Sequence, residues 1–307
     1  MQYLAILFGL LHAVASFDKD IDLKYKTLPE ADFIEYFNNL GLSWKITSKK
    51  FSDVSQLACS FLNSSFIKDI PYIKHEKDVD LPSDFDARKK WPECPTIGKI
   101  YDQELCGSCW TFGVATTASD RTCIHGKGIV NLSEQDFQCC QESHPGNVCQ
   151  GGYPSVAFNC WTTIGLVTQQ CQPYNILELM ENKCERKCHN DADYESDKHF
   201  GANVYRIQKV DKAIKTELFE NGPVEMSFDV YEDFLQYQNG IYEHKFGRLK
   251  GGHSVRVIGY GEENGVKYWL AANSWGDLWG EDGFFRIKRF QEEVYFEDEV
   301  LTGIPQN

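Results

Sequence analysis

An α+β fold is predicted from two patterns that occupy different parts of the chain. Through about residue 170 the sequence carries helix signals. From about residue 200 it carries runs in which apolar and polar residues alternate, at 204–210, 224–230, 254–259, 268–272 and 283–287. Composition supplies the third observation: 42% hydrophobic and 14% aromatic residues suffice for a large core. No internal repeat or low-complexity tract interrupts the chain.

In chain order, residues 1–15, MQYLAILFGLLHAVA, form an apolar run ending in the small-x-small site Ala13-Val14-Ala15. This pattern predicts a secretory signal peptide cut before Ser16. The run is too short for a transmembrane helix and His12 interrupts it, and no later stretch approaches the ~20 apolar residues a span needs. A helix is predicted over 29–40, with Thr27 or Leu28 near its cap and Gly41 in the C′ place. A second, short helix is predicted from Ser52 to Leu62. A lysine- and aspartate-rich stretch, 68–80, then leads into Leu81-Pro-Ser-Asp-Phe-Asp-Ala-Arg88. Residues 16–80 contain no catalytic set.

The formal charge is −14 and the pI about 5.0. This acidity excludes a nucleic-acid partner, because such binding rests on basic patches, and it serves solubility. Twelve cysteines in a chain entering the secretory route imply disulfides formed in an oxidising compartment. Asn63-Ser-Ser and Asn131-Leu-Ser are glycosylation sequons.

The chemistry centres on Gln103-Glu-Leu-Cys-Gly-Ser-Cys-Trp-Thr-Phe112. A helix-compatible run extends from Cys109 to about Arg121. At a helix start the unpaired N–H groups and the positive dipole end favour an anion, so a thiol there ionises more readily and becomes nucleophilic. Cys106 and Cys109 alone leave redox and zinc chemistry open. Two downstream segments narrow the choice. Gly251-Gly-His-Ser-Val-Arg-Val-Ile-Gly-Tyr-Gly261 places His253 at the head of an alternating run, and Tyr268-Trp-Leu-Ala-Ala-Asn-Ser-Trp-Gly276 places Asn273 at the end of the next.

Cysteine, histidine and asparagine in this order, with aromatic company, resemble the papain family of cysteine peptidases. Within that family, the sequence from Leu81 onward is similar to the mature cathepsin B type. The resemblance implies a two-lobe fold, a helical lobe (about 81–170) beside a β-barrel-like lobe (about 171–300), with the cleft between them. It implies an inhibitory propeptide at 16–80 and a mature domain at 81–307. It assigns Cys109 as a free nucleophile, His253 as its base, Asn273 as the residue orienting His253, and Gln103 as an oxyanion donor beside the Cys109 N–H. Trp275 would shield the His253–Asn273 bond.

For substrate binding, the resemblance points to Gly151, Gly152, Tyr153 and Pro154 as a strip that pairs with an extended peptide, and to Gly252 and Ser254 beside the histidine. Glu297 is placed at the floor of the S2 pocket. The disulfides implied are Cys94–Cys123, Cys106–Cys149, Cys140–Cys184 and Cys171–Cys188. Cys139 and Cys160 have no counterpart, and a bond between them is favoured slightly over two buried thiols. No metal or cofactor is expected, since oxidised cysteines cannot serve as thiolate ligands at Cys184, Cys188 and His189.

One departure from the pattern bears on activity. Cathepsin B carries a long, histidine-bearing occluding loop that captures the substrate's terminal carboxylate. Here twelve residues separate Cys171 from Cys184, without histidine or an inner cysteine pair, and Glu178 and Glu181 would repel a carboxylate if they faced the cleft. The expectation is a monomeric endopeptidase with weak carboxydipeptidase activity, acting on peptides and proteins in an acidic vesicle or outside the cell. A dipeptidyl carboxypeptidase and a catalytically silent peptide-binding relative are the alternatives. A disulfide oxidoreductase would not need His253, Asn273 or Gln103.

Overall fold

The computed structural model describes residues 17–48, 68–75, 79–140 and 147–306. The signal-peptide stretch, the helix expected from Ser52 and the sequon at Asn63 lie outside them.

The amino-terminal segment begins with α1 (Lys19–Thr27), which the sequence analysis did not anticipate. Only Ile21 and Asp22 of this helix are buried, so it lacks a clear apolar stripe. Its start is set by Asp18, whose side chain accepts from the N–H groups of Asp20 and Ile21. Helix α2 (Glu30–Asn38) fulfils the expectation over 29–40, and Gly41 follows it at φ +73°. Its cap position is Pro29 rather than Thr27 or Leu28. Thr27 Oγ1 instead bonds back to the Leu23 carbonyl at 2.8 Å, and Leu28 caps the end of α1.

Strands β1 (Trp44–Ile46) and β2 (Tyr72–Ile73) follow, then β3 (Phe85–Asp86) and α3 (Ala87–Lys90). The helical half contains α4 (Cys109–Ile124), α5 (Pro154–Thr163) and α6 (Ile176–Met180). The sheet half contains β4 (Gly201–Ile207), α7 (Asp211–Asn221), β5 (Val224–Tyr231), β6 (Tyr237–Tyr242), β7 (Leu249–Glu263), β8 (Val266–Ala272), β9 (Phe284–Lys288) and β10 (Val300–Pro305). The strand expected over 204–210 ends at Ile207, because the chain turns at 208–210 to start α7.

The strands form one sheet in the order β1-β6-β9-β8-β7-β5-β10-β4-β2, with β3 on β7. Two large apolar cores and one small cluster result among the described residues. Trp110, Val114, Phe137, Phe158, Trp161 and Leu166 fill the helical half, and Phe228, Phe234, Val257, Trp269 and Phe285 belong to the sheet core. Helix α4 lies between them, packed on β7 and β10, and its residues 109–122 are all buried. It has no solvent face, which explains the absence of amphipathic periodicity. The α+β fold and its two halves follow the sequence prediction.

The amino-terminal segment extends the sheet at both ends, which sequence analysis missed. Trp44 pairs with Gly240 across β1 and β6. A Cβ at Gly240, φ +95°, would lie 2.3 Å from the Ser43 carbonyl oxygen, so the close approach requires glycine. The Trp44 ring is buried against Phe37 and Tyr242, with centroids 4.8 and 5.0 Å away. At the other end, β2 runs parallel to β4.

Disulfides Cys94–Cys123, Cys106–Cys149 and Cys171–Cys188 match the expected pairs. The other two correct the expectation: Cys139 joins Cys184, and Cys140 joins Cys160. Neither Cys140–Cys184 nor Cys139–Cys160 forms. Successive residues of the 3-10 turn 136–139 and its cap point in different directions. Cys140 enters the helical core beside Cys160 of α5, while Cys139 is turned toward the 171–188 segment.

Candidate active site

Cys109 is the first residue of α4, after Ser108 at the cap. The cap makes no side-chain hydrogen bond to the helix, and the Ser108 hydroxyl meets the Tyr174 hydroxyl at 2.9 Å instead. The approach to the helix is braced by the Cys106–Cys149 disulfide and by the Gly107 N–H, which donates to the Cys149 carbonyl at 3.0 Å. Gly151 and Gly152 follow directly. A Cβ on Gly152 would lie 2.5 Å from the Trp110 ring, and the Trp110 indole N–H donates to the Val148 carbonyl at 3.2 Å. Tyr153 and Pro154 are the cap and first residue of α5. The strip predicted at 151–154 therefore stands beside the residues that lead into α4.

His253 and Ser254 lie on β7, opposite Phe228 and Ser227 of β5. Asn273 follows the end of β8, and its Oδ1 stands 2.7 Å from His253 Nε2. The Trp275 ring lies against the imidazole, centroids 4.7 Å apart, and the Phe228 ring meets it edge-on at 5.8 Å. His253 Nδ1 is buried with no hydrogen-bond partner among the described residues. Burial lowers the His253 pKa to about 4, against the Asn273 hydrogen bond, which raises it. Burial therefore favours the neutral form of the imidazole.

Gln103 is buried and locked. Its side-chain N–H donates to the Cys106 carbonyl at 2.8 Å, and its Oε1 accepts from the Ser274 hydroxyl at 2.6 Å. Its backbone N–H donates to the Ser274 carbonyl and its carbonyl accepts from Tyr174. Ser274 and Tyr174 thus hold the predicted oxyanion donor, and no local motif marks either as doing so.

One assignment changes. Cys109 is disulfide-bonded in this structure, so the free thiol expected of the nucleophile is absent. Its sulfur still accepts the Ser254 backbone N–H at 3.4 Å. Glu297, expected at the floor of the S2 pocket, accepts at Oε1 from the Trp269 indole at 2.8 Å and the Phe290 N–H at 2.7 Å. The carboxyl that meets Ser254 is Glu225, at 2.7 Å. Sequence analysis passed over Glu225, because nothing in Gly222-Pro-Val-Glu225 marks a site.

In the 171–184 interval, α6 presents Leu177 and Met180 to solvent. Glu178 accepts from Asn175 and Gln135, and its Oε2 stands 3.8 Å from His189 Nε2. Cys171, Cys188 and Asp197 cluster at metal-binding spacing, but the two cysteines form a disulfide and offer no thiolate.

The papain family cysteine protease pattern matches residues 81–304. The cathepsin B-like cysteine proteinase 4 of Caenorhabditis elegans is 39% identical over 308 residues, covering 89% of this chain and 91% of that protein. The cathepsin B-like cysteine proteinase of Schistosoma japonicum is 41% identical over 258 residues, 75% of each chain. Procathepsin B S9 from Trypanosoma congolense superposes with a TM-score of 0.82 at 31% identity, covering 91% of this chain and 99% of that one. Procathepsin L 3 of Tenebrio molitor shares the fold, with a TM-score of 0.71 at 20% identity over 93% and 97% of the two chains. The chain belongs to the papain family of cysteine proteases, and within that family it is cathepsin B-like.

Proposed function

We propose that the protein is a cysteine endopeptidase made as a zymogen, with Cys109 as nucleophile, His253 as proton carrier, Asn273 as orienting residue and Gln103 as oxyanion donor. The observation that carries this reading is the placement of Cys109 at the start of α4, under the Ser254 N–H, beside a histidine tied to Asn273.

The reaction begins once an external thiol has reduced the Cys109 disulfide by thiol–disulfide exchange. The thiolate, favoured by the helix start and the Ser254 N–H, adds to the scissile carbonyl. The developing oxyanion is met by the Cys109 N–H and the Gln103 side chain. His253, having taken the Cys109 thiol proton, delivers it to the leaving amine, and water then hydrolyses the acyl-enzyme with His253 as base. Asn273 holds the imidazole so that Nδ1 carries the proton. An oxyanion donor of this kind contributes about 2.7–4 kcal/mol to the transition state.

Residues 16–80 act as the inhibitory propeptide in this reading. Its support is the docking of β1 and β2 on the sheet and the burial of both Cys109 and His253. A fragment of the same segment, His75, stands 3.2 Å from buried Glu217. Entry into the secretory pathway, and an acidic vesicle or extracellular destination, rest on residues 1–15. The short interval between Cys171 and Cys184, which lacks histidine, supports an open primed side and endopeptidase rather than carboxydipeptidase activity.

A product map tests the proposal. The processed, dithiothreitol-reduced protein and its Cys109→Ala variant are incubated with a long unblocked peptide, and fragments are followed by mass spectrometry. Internal cuts that require Cys109 are expected. Stepwise loss of C-terminal dipeptides would overturn the endopeptidase assignment, and no cleavage by the processed, reduced protein would overturn the peptidase reading itself.

A further inference from the structure

Behind the nucleophile, away from the His253 ring, lies a buried acid that the mechanism above does not use. Glu225 is fully buried on β5. Its Oε1 accepts from two hydroxyls, Ser254 Oγ at 2.7 Å and Ser227 Oγ at 2.7 Å, while Oε2 is buried without a hydrogen-bond partner. Ser254 reaches both ways, because its backbone N–H donates to Cys109 Sγ at 3.4 Å. Two hydrogen bonds therefore connect the Glu225 carboxyl to the sulfur.

Helix α4 closes on the same spot. Gly113 is one turn after Cys109, and a Cβ there would lie 2.2 Å from Ser254 Oγ and 3.2 Å from Glu225 Cγ. Only glycine lets the nucleophile's helix seat directly on the Ser254–Glu225 pair.

Among the described residues no cation pairs with this acid. Arg256, its partner across the β5–β7 pair, directs its guanidinium to Asp120 and to the carbonyls of Thr96 and Lys99. The nearby charged group is a second acid, Glu299. Burial, reinforced by Glu299, pushes the Glu225 pKa up to about 8, against the two hydroxyl bonds. With both hydroxyls donating to Oε1, the proton resides on Oε2.

We propose that Glu225, as a neutral carboxylic acid, is a positioning residue for the nucleophile, holding Ser254 so that its N–H stays aimed at Cys109 Sγ. Ionising the acid places a negative charge two hydrogen bonds from the thiolate. That like charge disfavours the thiolate and limits the site at alkaline pH. The inference rests on the peptidase reading above.

The test uses processed, dithiothreitol-reduced enzyme. The rate of Cys109 alkylation by iodoacetamide, located by peptide mass spectrometry, is measured across pH beside hydrolysis of a peptide substrate. Glu225→Ala removes the acceptor and lowers the acid-side alkylation rate about tenfold, the effect of one lost buried hydrogen bond. Glu225→Gln keeps the acceptor and cannot ionise, so it restores most of that rate and moves the alkaline inflection upward by about half a unit or more. In a Ser254→Ala background the same Glu225→Gln change moves the inflection less. Superimposable profiles for wild type and Glu225→Gln would overturn the proposal. So would an inflection shift that survives Ser254→Ala in full, which also serves if Glu225→Ala fails to fold. An inert Cys109 and no hydrolysis in wild type would instead overturn the peptidase reading.

Discussion

His253 Nε2 and Asn273 Oδ1 stand 2.7 Å apart under the Trp275 ring, and this one bond assigns the two ring nitrogens their roles. Nε2 is committed to the asparagine, so Nδ1 is the atom left for proton transfer. Asn273 Oδ1 also accepts the Ser274 N–H at 2.8 Å, and Ser274 in turn holds Gln103. The proposed base, His253, and the proposed oxyanion donor, Gln103, are thus aligned through one short stretch of chain.

Asn273→Ala removes that alignment and leaves a buried imidazole N–H unpaired. The expected result is a drop in kcat/KM of about ten- to a hundredfold, the range for an unsatisfied buried donor. Kinetics on the processed, reduced enzyme check it, with circular dichroism to show that the fold is retained.

Trp44→Ala empties a pocket closed by Phe37, Tyr237 and Tyr242. Removing a buried tryptophan costs about 3–5 kcal/mol, and here the loss falls on the contact between amino-terminal segment and sheet. The variant is expected to convert to the mature form faster than wild type at acidic pH, as followed by gel densitometry. An unchanged rate would show that this contact does not hold the proform.

Glu217 couples stability to acid. Burial opposes its charge, but Arg121, at 2.7 Å, with His75 and Tyr205 outweighs it and lowers the pKa to about 2. The folded pKa lies below the ordinary value, so the pair's contribution is complete above about pH 4.5 and is lost as pH falls toward 2. Glu217→Ala strands the buried Arg121 and is expected to cost about 3–5 kcal/mol in the upper range. Urea unfolding should show the difference from wild type shrinking as pH is lowered from about 4.5.

Cys160→Ser distinguishes the two pairings of adjacent cysteines. With Cys140 joined to Cys160, the variant exposes Cys140 to alkylation after mild unfolding and keeps Cys139–Cys184 intact. Loss of this 20-residue cross-link is expected to cost about 3 kcal/mol. Alkylation at Cys139 instead would favour the pairing first expected from sequence.

The order Cys109, His253, Asn273, the helix beginning at Cys109, helix α2 and five of the ten strands of the sheet (β4, β5, β7, β8 and β9) were legible in the sequence, because these depend on local periodicity, on glycine and on contiguous motifs. Features that depend on which way a side chain faces were not. Cys139 and Cys140 are neighbours in sequence and part only when a 3-10 turn points them to different partners. Glu297 and Glu225 are both buried acids. Only the tertiary packing shows that the first accepts from Trp269 and the second from Ser254, beside Cys109. The docking of Trp44 at Gly240 joins residues nearly two hundred positions apart, and no local pattern encodes such a contact. Residue chemistry and spacing determined what this protein carries for catalysis; the tertiary structure decided which groups reach it, because burial and hydrogen-bond partners arise only when distant segments meet.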